Sequence, residues 1–189
     1  MKPIVYANIW QRMMANVIDG LIILILMLLI SSLSFVHISF AFIAIIFSHF
    51  AYWYYGYYFN GKYGATFGKH FLGLIVVNKD LGRFDFNTSF KRSSIDLGFA
   101  VFGAAFALTA LFSMDFSHYA SLGFHQREAY LASFNPEVSA LCAQLFGYWL
   151  LSEFVVMMFT KRNQAAQDLL AGTVVIVKEP RKELASSNS

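Results

Sequence analysis

Long apolar runs separated by short polar connections dominate the chain. Four of them, at about residues 14–34, 38–59, 94–114 and 138–159, reach or approach the roughly 20 residues that cross a bilayer as a helix. The pattern predicts an all-α membrane protein, a bundle of about four transmembrane helices. Between the second and third runs, GKYGATFGKHFLGLIVVNKDLGRFDFN changes period. Glycines break it, an apolar run from Leu72 to Val77 reads as strand-like, and a turn follows from Lys79 to Gly82. The later QDLLAGTVVIVKEP echoes HFLGLIVVNKD, so a helical hairpin followed by a short interfacial segment is expected twice. FSHYASLGFHQREAYLASF, residues 116–134, predicts one amphipathic helix on the outer surface. Residues 1–178 thus form one transmembrane domain with interfacial strand-like or amphipathic cytoplasmic segments, and 179–189 a disordered cytoplasmic tail.

Composition supports this reading. Of 189 residues, 58% are hydrophobic and 13% charged, against roughly a quarter charged in soluble domains. The first run has a basic flank in Lys2 and Arg12, but it is too long for a signal peptide and is expected to stay as an anchor. The formal charge of +3 does not imply a nucleic-acid partner, because its distribution has a membrane explanation. Basic residues gather before the first run, in the segment 60–93 (Lys62, Lys69, Lys79, Arg83, Lys91, Arg92) and after residue 160 (Lys161, Arg162, Lys178, Arg181, Lys182). Of the fourteen, only Arg127 falls on the other side. By the positive-inside rule both termini are cytoplasmic, in a multi-pass protein of the inner membrane. The cluster AYWYYGYYFN, residues 51–60, fits the aromatic belt at the inner interface.

Three acids stand in apolar surroundings: Asp19, Asp96 and Glu153. Measured along their helices from Arg12, Arg92 and Lys161, Asp19 and Glu153 lie roughly 10 to 12 Å deep and Asp96 about 6 Å. A lipid-facing carboxylate is unfavourable, so each is expected to face another helix, a basic partner or a hydrated cavity. Arg12, Asn16 and Asp19 share a helix face at i, i+4 and i+7, and the i, i+4 spacing of Arg92 and Asp96 predicts a local ion pair. Asp19 and Glu153 are the candidates for an ion or proton site, with interhelical hydrogen bonding as the structural alternative.

Other chemistry finds no framework. His37, His49, His118 and His125 lack metal-ligand spacing, and Cys142 sits alone in an apolar helix. Gly68-Lys69 is not a phosphate loop, since Tyr63 stands where the motif needs glycine and His70 where it needs Ser or Thr. No nucleophile elbow or paired-cysteine signature appears, so neither an enzyme nor a cofactor is expected.

Arg12 and Asp19 in QRMMANVIDGLI, the GATFGKHFLGLIVV segment, FKRSSID and NQAAQDLLAGTVVIV together resemble the RDD family of bacterial membrane proteins, over about residues 10–178. The resemblance implies that Arg12 and Asp19 are the family arginine and first aspartate. It makes Asp168 the second aspartate, with Asp96 a competing candidate, and places Gln167 where many relatives have histidine. It also implies a transport role, cation/proton exchange among the suggested activities, with small-solute transport the broader form. A noncatalytic membrane assembly or accessory subunit is the alternative. A four-helix protomer is small for a carrier, so a homo-oligomer or a membrane protein partner is expected beside the lipid bilayer. The two interfacial segments are expected to fold back under the bundle, bringing Asp168 to Arg12 and closing that end over Asp19 and Glu153.

Overall fold

A computed structural model describes residues 4–33, 39–82 and 84–178. The expected tail at 179–189, His37, Lys2, Arg83, Arg181 and Lys182 lie outside them, as does the side chain of His125. Four long helices carry the fold: α1 (Ile9–Leu33), α2 (Ser39–Tyr63), α4 (Phe86–Ser113) and α7 (Pro136–Phe159). Short elements connect them: α3 (Phe67–Phe71), β1 (Leu74–Asn78), α5 (Phe116–Ser121), α6 (Phe124–Ser133), α8 (Ala166–Ala171) and β2 (Thr173–Val177). Among the described residues three helices are long and apolar enough to cross a membrane: the Ile9–Ile30 part of α1, all of α4 and all of α7. The 25 residues of α2 match them in length. Its second half, AYWYYGYYFNGKY, trades aliphatic for amphipathic aromatic residues and so lowers its hydropathy.

The outward faces of the long helices are apolar, as a lipid-facing surface requires. Leu21, Leu24, Ile25, Leu28 and Leu29 on α1 are exposed, as are Leu150, Leu151 and Val155 on α7. Inside, small residues bring helices close. A Cβ on Gly103 of α4 would stand 2.5 Å from the His49 ring of α2.

The chain runs twice through the same order: a helical hairpin, a short helix, a left-handed glycine and a strand. Gly73 (φ +66°) stands between the cap of α3 and β1, and Gly172 (φ +67°) caps α8 before β2. At both points only glycine takes the positive φ without a Cβ penalty. The strand therefore starts at Leu74 and ends at Asn78, two residues later than the expected start at Leu72, which caps α3 instead. β1 and β2 pair antiparallel, with Val76 opposite Val175. The ladder is closed at its ends by Lys79 N–H to the Gly172 carbonyl and Lys178 N–H to the Gly73 carbonyl. Residues before α1 add to the free edge of β2 through Ala7 N–H to Val175 and Val177 N–H to Val5. Ala7, Ala15, Leu74, Val76 and Val175 form a small core that seals the sheet against the foot of α1.

At the opposite end, the expected single helix over 116–134 is two, α5 and α6. Leu122 and Gly123 are extended and break it. Arg127 crosses the break: its guanidinium donates to the carbonyls of Leu122 and Ala120 and lies 4.9 Å from the Tyr119 ring centroid. The basic residue on this side is thus buried as a helix-end donor.

Candidate functional site

The sheet end of the bundle holds a buried polar cluster drawn from every long helix. Its centre is Asp168, on the first turn of α8 and fully buried. One carboxylate oxygen accepts from Arg12 of α1 at 2.5 Å and from the Ala165 N–H at 2.9 Å. The other pairs with Arg92 of α4 and accepts from the Thr173 hydroxyl at 3.0 Å. Arg12 also donates to the Asn163 carbonyl, and Arg92 to the Gln167 side chain at 3.1 Å. Burial pushes the Asp168 carboxyl up, but Arg92, Arg12 and the Ala165 N–H outweigh it and hold the pKa below its ordinary value.

Asp19, also buried, has a donor set of its own. It accepts from the Tyr55 hydroxyl of α2 at 2.6 Å, the Thr66 hydroxyl at 2.5 Å and the Gly68 N–H at 2.7 Å. Tyr55 in turn accepts from the Phe67 N–H at 2.9 Å. Thr66 is the N-cap of α3, yet its side chain makes no cap bond and donates to Asp19 instead. A carboxylate from α1 thereby does the work of the missing cap. The fit depends on Gly68, because a Cβ there would collide with the Ala15 carbonyl oxygen.

Lys69 follows Gly68 into the interior, its ammonium 3.3 Å from the Thr66 hydroxyl. Burial, and then the nearby Arg92 charge, lower its pKa to about 8.

Among the described residues, neither Asp96 nor Glu153 forms an ion pair, although Asp96 lines one small cavity with Arg92 and Lys69. Asp96 accepts from the Trp149 indole N–H at 2.9 Å, and Glu153 accepts from the Gln167 backbone N–H at 3.0 Å and its side-chain amide at 2.8 Å. The expected Arg92–Asp96 ion pair does not form. Arg92 reaches across to Asp168 on α8, where a fully buried carboxylate is the stronger attractor for a guanidinium fork. Among the described residues, the ion pairs of this end both converge on Asp168.

Asp19 and Glu153 line separate cavities. One of about 40 Å³ takes Asp19, Lys69, Arg92 and Asp96. The other, of about 530 Å³ between α1 and α7, takes Glu153 and Asp96 with Trp149, Phe154 and Met157. Asn16, Tyr52, Asp96 and Gln167 border both. Arg12, Asn16 and Asp19 do share one face of α1, but Arg12 and Asp19 serve different short helices. Among the described residues no group of histidines, cysteines and acids has the spacing to hold a metal.

Two participants carried no signal along the chain. Tyr55 is one of many aromatics in its belt, and Trp149 sits in an apolar run. Gln167 and Thr173 stand beside the glycine-strand echo, which was the clue to their shared location.

A family model for the RDD family matches residues 6–172, a span that takes in Arg12, Asp19, Arg92, Asp96, Glu153 and Asp168. No curated protein and no solved structure matches the chain. With long lipid-compatible helices and a family match over most of its length, ending at the glycine before β2, this membrane protein belongs to the RDD family.

Proposed function

We propose that the protein is a non-enzymatic transporter that exchanges protons for a cation or other small solute at Asp96 and Glu153. The observation that carries this reading is the separation of charge in the cluster. Arg12 and Arg92 both pair with Asp168, while Asp96 and Glu153 face a cavity of about 530 Å³ and, among the described residues, accept hydrogen bonds from neutral donors. Among the described residues, Glu153 lines a cavity with no basic residue, and Asp96, which shares the small cavity with Arg92 and Lys69, makes no ion pair; carboxylates so placed at membrane depth are suited to take up a proton or a mobile cation. Asp19, with three donors, acts as the tether of α3, the structural alternative raised for it from the sequence, and Asp96 takes its place beside Glu153 as the ion-handling candidate.

In this reading the sheet end faces the cytoplasm of a bacterial inner membrane, following the basic residues, and a homo-oligomer completes the carrier. The cycle needs one alternation: protonated Asp96 or Glu153 releases its proton as the cation enters, and the reverse on the other side.

The test is proton movement in proteoliposomes with a lumenal pH dye, under pulses of Na⁺, K⁺ and Li⁺. Native protein is expected to give cation-dependent flux, and Glu153→Gln and Asp96→Asn to lose it while keeping the native elution profile. Flux unchanged in both variants would overturn the site. Absence of flux in native protein overturns transport and leaves an assembly or accessory role.

A further inference from the structure

A third cavity, of about 490 Å³, opens at the sheet end and shares no lining residue with the one holding Glu153. It lies where the last turn of α2 meets α3 and β1. Phe59, Tyr63, Phe67 and Leu74 form its apolar floor, and His70 and Lys178 stand on its rim. Among the described residues, no acid lines it. Lys62 is close by, its ammonium 5.3 Å from the centroids of the Tyr58 and Tyr63 rings.

The surroundings fix the kind of ligand. Phe67 and Phe71, one helical turn apart on α3, are 55% and 79% exposed. On α8, at the same end of the bundle, Leu169 and Leu170 are 44% and 55% exposed. Two short helices that turn large apolar side chains outward at the foot of a membrane bundle are placed to enter the interfacial layer. Tyr63, at the end of α2 and exposed beside them, is a residue type of that layer. A small soluble anion would use Lys178 and leave the aromatic floor bare. An acyl chain alone would use the floor and leave the cationic rim unmatched.

We propose that this groove binds one anionic phospholipid, its acyl chain on Phe59, Phe67 and Leu74 and its headgroup phosphate on Lys178 and His70. The backbone N–H of Lys178 belongs to the sheet ladder, whereas its side chain is exposed. The side chain is therefore replaceable without disturbing the fold.

The experiment uses the full chain, delipidated in detergent, with native mass spectrometry and thermophoresis as readouts. Dioctanoyl phosphatidylglycerol, dioctanoyl phosphatidylcholine and inorganic phosphate are the probes. Phosphatidylglycerol is expected to bind at least tenfold more tightly than phosphatidylcholine. Lys178→Gln should weaken it about fivefold, in keeping with one basic group at an anionic membrane surface. Lys178→Arg should restore it, and Lys161→Gln, an exposed basic residue outside the groove, should leave it unchanged. Equal binding of the two lipids, or indifference to Lys178→Gln, overturns the proposal. Displacement of the lipid by millimolar phosphate overturns the lipid as the ligand and assigns the rim to free anions. Because none of these probes reads proton flux, failure here is distinct from failure of the transport reading.

Discussion

Asp168 is held between Arg12 and Arg92, so that one carboxylate on α8, 156 residues from Arg12 in sequence, joins α1 to α4. Two guanidiniums on one buried carboxylate place a positive charge in excess at that point. Asp19 and Asp96, which line the same small cavity as Arg92, lie close enough to offset part of it without an ion pair.

Removing the shared anion should expose that excess. Asp168→Asn leaves two buried arginines facing a neutral amide, and a destabilisation of about 3 to 5 kcal/mol is expected, read as a lower midpoint of thermal unfolding in detergent. An Arg12→Ala, Asp168→Ala double-mutant cycle should give a coupling of about 1 to 3 kcal/mol. Additive effects would show that the contact does not hold α8 to α1.

Gly68 and Gly20 make a controlled pair. Gly68→Ala drives a methyl group into the Ala15 carbonyl oxygen and should displace α3 from Asp19, destabilising by about 2 kcal/mol or more. Around a Cβ at Gly20 there is nothing within 4 Å, and this glycine lies inside α1. Gly20→Ala is expected to be neutral or to stabilise by about 0.5 to 1 kcal/mol through helix propensity. Thermal unfolding of both variants checks the contrast, and equal shifts would refute the close approach.

Acid should loosen the sheet end through Asp168. Its folded-state pKa lies below the ordinary 3.8, so the carboxylate contributes stability in full above that value and loses it as pH falls towards the folded pKa. Unfolding midpoints of native protein should begin to drop through Asp168 only as pH falls below about 4, and the drop there should be smaller in Asp168→Asn.

Lys69 gives a rise in stability at alkaline pH. Its pKa is lowered from 10.5 to about 8, so between those values the unfolded chain binds more protons than the folded one and stability increases with pH. Lys69→Met removes a buried ammonium and should raise the unfolding midpoint at pH 7 while abolishing the rise above pH 8. A lower midpoint at pH 7 would mean that the charge of Lys69 stabilises the acids around it.

The long apolar runs and the one-sided distribution of basic residues were enough to identify a helical membrane protein, because bilayer thickness translates directly into sequence length. The glycine-strand echo was legible for a similar reason: a left-handed residue between a helix and a strand demands glycine, whatever surrounds it. Arg12, Asp19 and Asp168 were legible as a set through the family resemblance. What i, i+4 spacing could not reveal was partner choice. Arg92 lies one turn from Asp96 yet pairs with Asp168, since only the folded sheet brings a more deeply buried carboxylate within reach. The break at Gly123 and the role of Asp19 as a cap for α3 were likewise decided by tertiary structure, which places donors from distant segments on one acceptor. Local pattern determined which segments suit the membrane; the packing of two short helices and a two-stranded sheet beneath them decided which charges meet there.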